Sequence, residues 1–210
     1  MEVDQVNVGV SLEIREVRRE EIGQAAVLTA RGMRDNPTHI MAFGSDDAKR
    51  EQKLGALFGA VLPIVSAKAV LIGAYRGGQL VGIAGIAGPG NCRPSAGESV
   101  RMLPRLLPRV GVGSMMKMGR WQGVWAKHDP AEPHWHLGPV AVDAHLQGRG
   151  IGSAILEEVC ARMDRQGTLL YLETDKPENV RFYQKFGFET IGQTPVIGVT
   201  NWFMQRSAYP

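Results

Sequence analysis

The sequence predicts one α/β (α+β) domain with about seven strands and flanking helices. Three observations lead there. The chain has 210 residues, which at about 150 per domain means one domain with room for an insertion. Hydrophobic residues make up 44% and charged residues 21%, enough apolar material for a core and unlike a disordered or fibrous chain. Strand-like and helix-like patterns alternate, and one strand runs into a glycine-rich loop that opens a helix.

Residues 11–17 alternate, with Leu12, Ile14 and Val17 apolar amid charge, and read as a first strand. Residues 20–33 carry Ile22, Ala25, Ala26 and Leu28 at roughly helical spacing. Asn36-Pro37 is a break. Over 45–65, Ser45-Asp46-Asp47 offers an N-cap, and Leu54, Leu57, Phe58 and Val61 share a helical face. The apolar runs 69–75 and 79–87 are joined by Arg76-Gly77-Gly78, a hairpin signal. Residues 88–97 read as loop. A helical insertion is expected around 98–130, in pieces cut at Pro104 and Pro108. Met115, Met118, Trp121 and Trp125 fall near helical spacing there, either as packing or as a wall of a substrate pocket.

After a break at 129–133, residues 134–142 form a strand. Pro139 lacks an amide donor, so the strand must bulge or part from its neighbour there. Residues 150–165 form an amphipathic helix, with Ile151, Ile155, Val159 and Met163 at steps of four. A short buried strand at 169–173 precedes a helix at 177–186 with proline in its first turn. Residues 188–192 and 196–206 are closing strands, apolar enough to pair between subunits in a homodimer.

The formal net charge of +3 and a pI near 9.0 suit an anionic ligand but are too weak to indicate nucleic acid. Cys92 and Cys160 form no CxxC pair, which argues against a zinc cage or disulfide framework and for a reduced, cytoplasmic protein. The first fifteen residues show no basic region followed by an apolar core, so no signal peptide is expected. The longest apolar stretch, 54–75, is interrupted by Pro63 and Lys68, and no membrane partner is expected.

The informative segment is 140–153, VAVDAHLQGRGIGS. Glycines let the backbone approach a ligand closely, and the first amides of a helix point outward without internal partners. With the helix dipole they make an anion cradle, to which Arg149 can add a charge-assisted contact. A P-loop needs Lys-Ser or Lys-Thr, and none is present. A dinucleotide fingerprint keeps Glu173 at about the right spacing. It lacks the last glycine, however, and only 58 residues follow Gly152, too few for a second half. A ligand-free turn is the third possibility.

Gln147-x-x-Gly150-x-Gly152 resembles the Q/R-x-x-G-x-G/A signature of the GNAT superfamily of acetyl-CoA-dependent N-acetyltransferases. Residues 172–188, LETDKPENVRFYQKFGF, resemble that family's strand, helix and "FY-x-x-x-GF" ending. Together with Trp202-Phe203-Met204-Gln205-Arg206 they are similar to puromycin N-acetyltransferase-like members. The motifs cover 134–206; over 1–130 the resemblance lies in element order alone.

The resemblance implies a GNAT fold: a mixed, mostly antiparallel sheet with two parallel strands, 134–142 and 169–173, splayed at the cofactor site. It implies acetyl-CoA held by the backbone of Val140, Ala141 and Val142 along the pantetheine. The loop Gln147, Gly148, Arg149, Gly150, Ile151, Gly152 and Ser153 would hold the pyrophosphate, with Asn179 and Phe182 bordering the thioester. Tyr183 occupies the family's general-acid position, unless it is a packing aromatic. Acyl transfer to an amine requires a base. Glu173 is the first candidate, with a structural role at the following turn as the alternative. His134 is the second, in His134-Trp135-His136, where residues two apart face one side. Two histidines alone make no metal site. An acyl-cysteine route lacks support: Cys160 lies in the long helix, and Cys92 has no identifiable histidine–acid pair in the sequence. The expected acceptor is a small-molecule amine, attacked directly in a ternary complex. A protein or peptide amine is the alternative, and a non-catalytic acyl-CoA sensor a further one.

Overall fold

A computed structural model describes residues 11–208. In chain order it contains β1 (Leu12–Glu16), α1 (Ile22–Gly32), α2 (Pro37–Phe43), α3 (Asp47–Val65), β2 (Ala69–Arg76), β3 (Gln79–Ala87), α4 (Ala96–Val110) and α5 (Val112–His128). Then follow β4 (Trp135–Val142), α6 (Ile151–Gln166), β5 (Leu170–Thr174), α7 (Pro177–Gln184), β6 (Glu189–Val196) and β7 (Val199–Arg206). These strands form one sheet in the order β1-β2-β3-β4-β5-β7-β6. Only β4 and β5 run parallel; the other neighbours are antiparallel. This is the mixed sheet that the sequence resemblance implies. Residues 1–10, part of the segment read as lacking a signal peptide, lie outside the described residues. Among the described residues no helix is long and apolar enough to cross a membrane.

Helices cover both faces because successive strand side chains point to opposite sides. Leu71 and Ile83 join Leu28, Leu54, Phe58 and Trp121 in one apolar layer, under α1, α3 and α5. Their neighbours Ile72 and Ala84 join the other layer, under α6. Ile151, Ile155, Val159 and Met163 are each 1% exposed or less, so the four-residue step read from the sequence is the buried face of α6. Each such side chain contributes about 1.5–3 kcal/mol on burial. The Asp46 carboxylate accepts from the Lys49 amide at 3.0 Å and caps α3. Gly77 and Gly78 have φ of 56° and 76°, as a two-residue hairpin turn with positive φ at both positions requires.

Three expectations need correction. Asn36-Pro37 is not merely a break: Pro37 is the first residue of α2, where its missing amide costs nothing. The insertion is not cut at Pro104 and Pro108, because α4 runs through both. Both prolines lie on its exposed side, while Met102, Leu106 and Val110 anchor the opposite face in the core. The break comes at Gly111, with φ of 83°, so the insertion is two helices. The strand read at 188–192 extends to Val196, and the turn falls at Ile197-Gly198. Pro195 is tolerated because β6 is an edge strand.

The break in β4 positions the site. Ala84 pairs with Val140 and Ile86 with Leu137, so Gly138-Pro139 bulges opposite Gly85. A Cβ on Gly85 would sit 2.6 Å from the Gly138 carbonyl oxygen, so only glycine allows this approach. On its other edge β4 pairs with β5 at Trp135–Leu170 and His136–Tyr171 alone. From Gly138 to Val142 the parallel strands have separated.

Candidate active site

At the splay, β4 leads through a short 3-10 turn, Ala144–Leu146, into the glycine loop and α6. Asp143 accepts from the His145 amide at 3.2 Å and pairs with Arg31 at 3.2 Å. Gln147 Nε2 donates to the carbonyls of Gly32, at 3.1 Å, and Val142, at 3.2 Å, strapping the loop to α1 and β4. Gly148 and Gly150 have φ of 75° and 80°, which L side chains resist. No side chain caps α6, so its first amides remain free for an outside acceptor. A Cβ on Gly152 would lie 3.4 Å from Phe182 Cζ, which keeps the loop close to α7.

A cavity of about 390 Å³ lies over this loop. Of the residues expected to hold a cofactor, Val140, Ala141, Val142, Gln147, Gly148, Gly150, Ile151, Gly152, Ser153, Asn179, Phe182 and Tyr183 line it. Arg149 does not. Lys176, at the N-cap of α7, lines it too. Sequence reading missed this cation, although its place just before Pro177 marks a helix start.

A second cavity, of about 230 Å³, adjoins the first and shares Met33, Asn36, Val140, Asn179 and Tyr183 with it. Its apolar wall includes Phe58 from α3 and Trp121 and Trp125 from α5. Its carboxylates are Asp129, Glu173 and Asp175. Trp125 Nε1 donates to Asn201 Oδ1 at 2.9 Å, Asn201 Nδ2 donates to Thr38 Oγ1 at 3.2 Å, and the Thr38 amide donates to Asp175 at 2.7 Å. This chain of bonds ties α5, β7 and α2 to the end of β5.

His136 Nε2 donates to Glu173 Oε2 at 2.7 Å, and both side chains line the second cavity. A Cβ on Gly138 would lie 3.3 Å from His136 Cε1 and 3.8 Å from Nδ1, and Nδ1 has no protein hydrogen-bond partner among the described residues. Burial disfavours the charged imidazole, but the adjacent Glu173 charge and its hydrogen bond outweigh that and raise the pKa of His136 above its usual value. Tyr183 is 7% exposed, borders both cavities, and its hydroxyl has no protein partner among the described residues. Burial, helped by Asp175, raises its pKa, so it keeps its proton at neutral pH.

His134 lies elsewhere, contrary to the expectation that both histidines face the site. It sits just before β4 and is absent from the walls of the second cavity. Its Nδ1 faces the Glu132 carbonyl at 2.9 Å and its Nε2 faces Asp129 at 3.2 Å. Cys92 Sγ is 4.0 Å from the same Nε2, so a histidine–acid pair does stand beside this thiol. Burial and Asp129 push the thiol pKa up, away from the thiolate a nucleophile needs. Cys160 is buried and pushed up to about 11. Among the described residues no group of three or more His, Cys, Asp and Glu is placed to hold a metal ion.

Comparison with known proteins fits this arrangement. The structure is similar to a histone acetyltransferase HPA2 and related acetyltransferase from Corynebacterium glutamicum, at 22% identity and a TM-score of 0.72, over 95% of this chain and 98% of that one. It is also similar to the Drosophila melanogaster polyamine N-acetyltransferase that forms N-acetylagmatine, at 15% identity and a TM-score of 0.61, over 94% and 100%. A third likeness is to the paia N-acetyltransferase of Thermoplasma acidophilum in complex with coenzyme A, at 13% identity and a TM-score of 0.56, over 94% and 99%. A sequence model described as the acetyltransferase (GNAT) family matches residues 43–188, and the chain belongs to that family.

Proposed function

We propose that this chain transfers the acetyl group of acetyl-CoA to the primary amine of a small cationic molecule, by direct attack in a ternary complex. One observation carries the reading: the His136–Glu173 pair lines an aromatic, carboxylate-bearing cavity that adjoins the glycine cradle at Tyr183.

The cradle suits coenzyme A. Free amides at the start of α6, positive-φ glycines and Lys176 favour a diphosphate, and β4 beyond His136 keeps main-chain groups that β5 does not use. When bound, acetyl-CoA supplies an acetyl group activated as a thioester. The chain's residues manage protons. His136 takes the proton that an ammonium must shed before its nitrogen can attack, and Glu173 holds the ring in place and favours the imidazolium that forms. Tyr183 keeps a proton between the two cavities for a departing thiolate. Main-chain amides near Val142 can favour negative charge on the acetyl oxygen.

The acceptor class follows from the second cavity. Its walls carry three carboxylates against one guanidinium, Arg93, which pairs with Asp129 at 3.1 Å; the remaining negative charge favours a cation, and Phe58, Trp121 and Trp125 favour an apolar or aromatic body. At about 230 Å³, with walls from the inserted helix α5, it suits a small molecule better than a polypeptide. Free-thiol release from acetyl-CoA across a panel of small amines and lysine peptides tests the reading. Turnover with small amines is expected. Turnover with peptides alone would refute the acceptor class, and failure to bind coenzyme A would refute the reaction.

A further inference from the structure

Acetyl transfer as described leaves one cavity-lining histidine unused. His39, on α2, is 3% exposed and lines the acceptor cavity. Its ring is fixed among Phe43, Phe58 and Trp121, with centroids 5.9, 6.3 and 5.3 Å away. His39 Nδ1 is 2.7 Å from the Met33 carbonyl oxygen. A carbonyl only accepts, so Nδ1 carries the hydrogen. Burial disfavours the charged ring more than the Met33 bond and Asp175 favour it, and the pKa is lowered. A neutral ring with hydrogen on Nδ1 leaves Nε2 as a bare acceptor, which has no protein partner among the described residues.

Trp121 packs against the same ring. It is 7% exposed, lines the same cavity and stands edge-on to His39, and its indole Nε1–H is buried without a hydrogen-bond partner. Buried polar atoms are nearly always paired, so the unused acceptor of His39 on a cavity wall calls for an explanation.

We infer that His39 Nε2 is a recognition subsite for a hydrogen-bond donor carried by the acceptor amine, a hydroxyl or a carboxamide. This rests on the acetyl-transfer reading above. The group's O–H or N–H donates to His39 Nε2. A carboxylate offers the imidazole no donor. Such a subsite rejects an analogue lacking the group, because Nε2 then stays unpaired.

Steady-state acetylation of matched amines tests this: tyramine against phenethylamine, 4-aminobutan-1-ol against butylamine, and 6-aminohexanamide against hexylamine. The wild type should favour the hydroxyl or carboxamide member by at least about 10-fold in kcat/KM in one pair or more, mainly through KM. His39→Asn can still donate to Met33 but places no acceptor at the position of Nε2, so the ratio within each pair should fall toward one. His39→Gln, with an amide oxygen near the position of Nε2, should restore part of it. Equal kcat/KM within every wild-type pair, or a preference that survives in His39→Asn, would overturn the subsite and leave acetyl transfer standing. Absence of both turnover and coenzyme A binding would overturn the acetyl-transfer reading, and the subsite with it.

Discussion

Replacing Glu173 with Gln probes the proposed base most directly. The substitution keeps shape and an acceptor oxygen but removes the charge 2.7 Å from His136 Nε2. The carboxylate is 4% exposed, so water screens this contact little. A hydrogen bond to a charged group is worth about 1.5–3 kcal/mol, which at 1.4 kcal/mol per decade is roughly a 10- to 150-fold loss in kcat/KM on the high-pH plateau. The pH profile should move as well. In the wild type the charge and hydrogen bond of Glu173 raise the pKa of His136, so the neutral base appears, and the rate rises, above pH 6.5. In Glu173→Gln the opposing effect of burial remains, and the acid limb should move to lower pH. The deficit should therefore narrow as pH falls. Stability gives an independent check: a raised histidine pKa stabilises the fold below pH 6.5, and the benefit is lost as pH rises through the folded value. The stability gap between wild type and variant should thus be wider at pH 6 than at pH 9, by denaturant unfolding. An acid limb that stays in place or moves upward would refute His136 as the base.

Three further outcomes are expected. Gly150→Asp places a carboxylate at the start of α6, where like charge at about 4 Å costs about 4 kcal/mol, so coenzyme A binding measured by calorimetry should weaken roughly a thousandfold. Wild-type affinity there would move the cradle elsewhere. Tyr183→Phe should lower kcat by about 10²-fold or more while leaving the Kd for coenzyme A unchanged, and intact turnover would remove the general-acid role. Asn201→Leu leaves the Trp125 indole and the Thr38 hydroxyl without their partner, so urea unfolding should show a loss of about 1–3 kcal/mol, while wild-type stability would show that the bonded chain from α5 to β5 contributes nothing.

Much of the cradle is local, which is why the sequence displays it. The segment 140–153 holds strand, turn and helix start within fourteen neighbouring positions, and Pro139, just before it, flags the irregularity in β4. The acceptor side is assembled from distant pieces instead. His39, Glu173, Trp121 and Asp129 meet only through the sheet order, and no spacing rule links them. Local signals also misled where their cost depends on position. Pro37 opens a helix rather than ending one, and the prolines of α4 are carried by the packing of the opposite face. His134 and His136 separate only once the start of β4 is known: His134 precedes the strand and turns to Asp129.

The excursion formed by α4 and α5 leaves the sheet at the end of β3 and returns at the start of β4, and these two strands are adjacent antiparallel partners. Its length is therefore free of any register constraint, and longer or shorter versions change closure entropy only slowly. A change in this lobe reshapes the wall that carries Trp121 and Trp125 and leaves the lining of the glycine-loop cavity untouched.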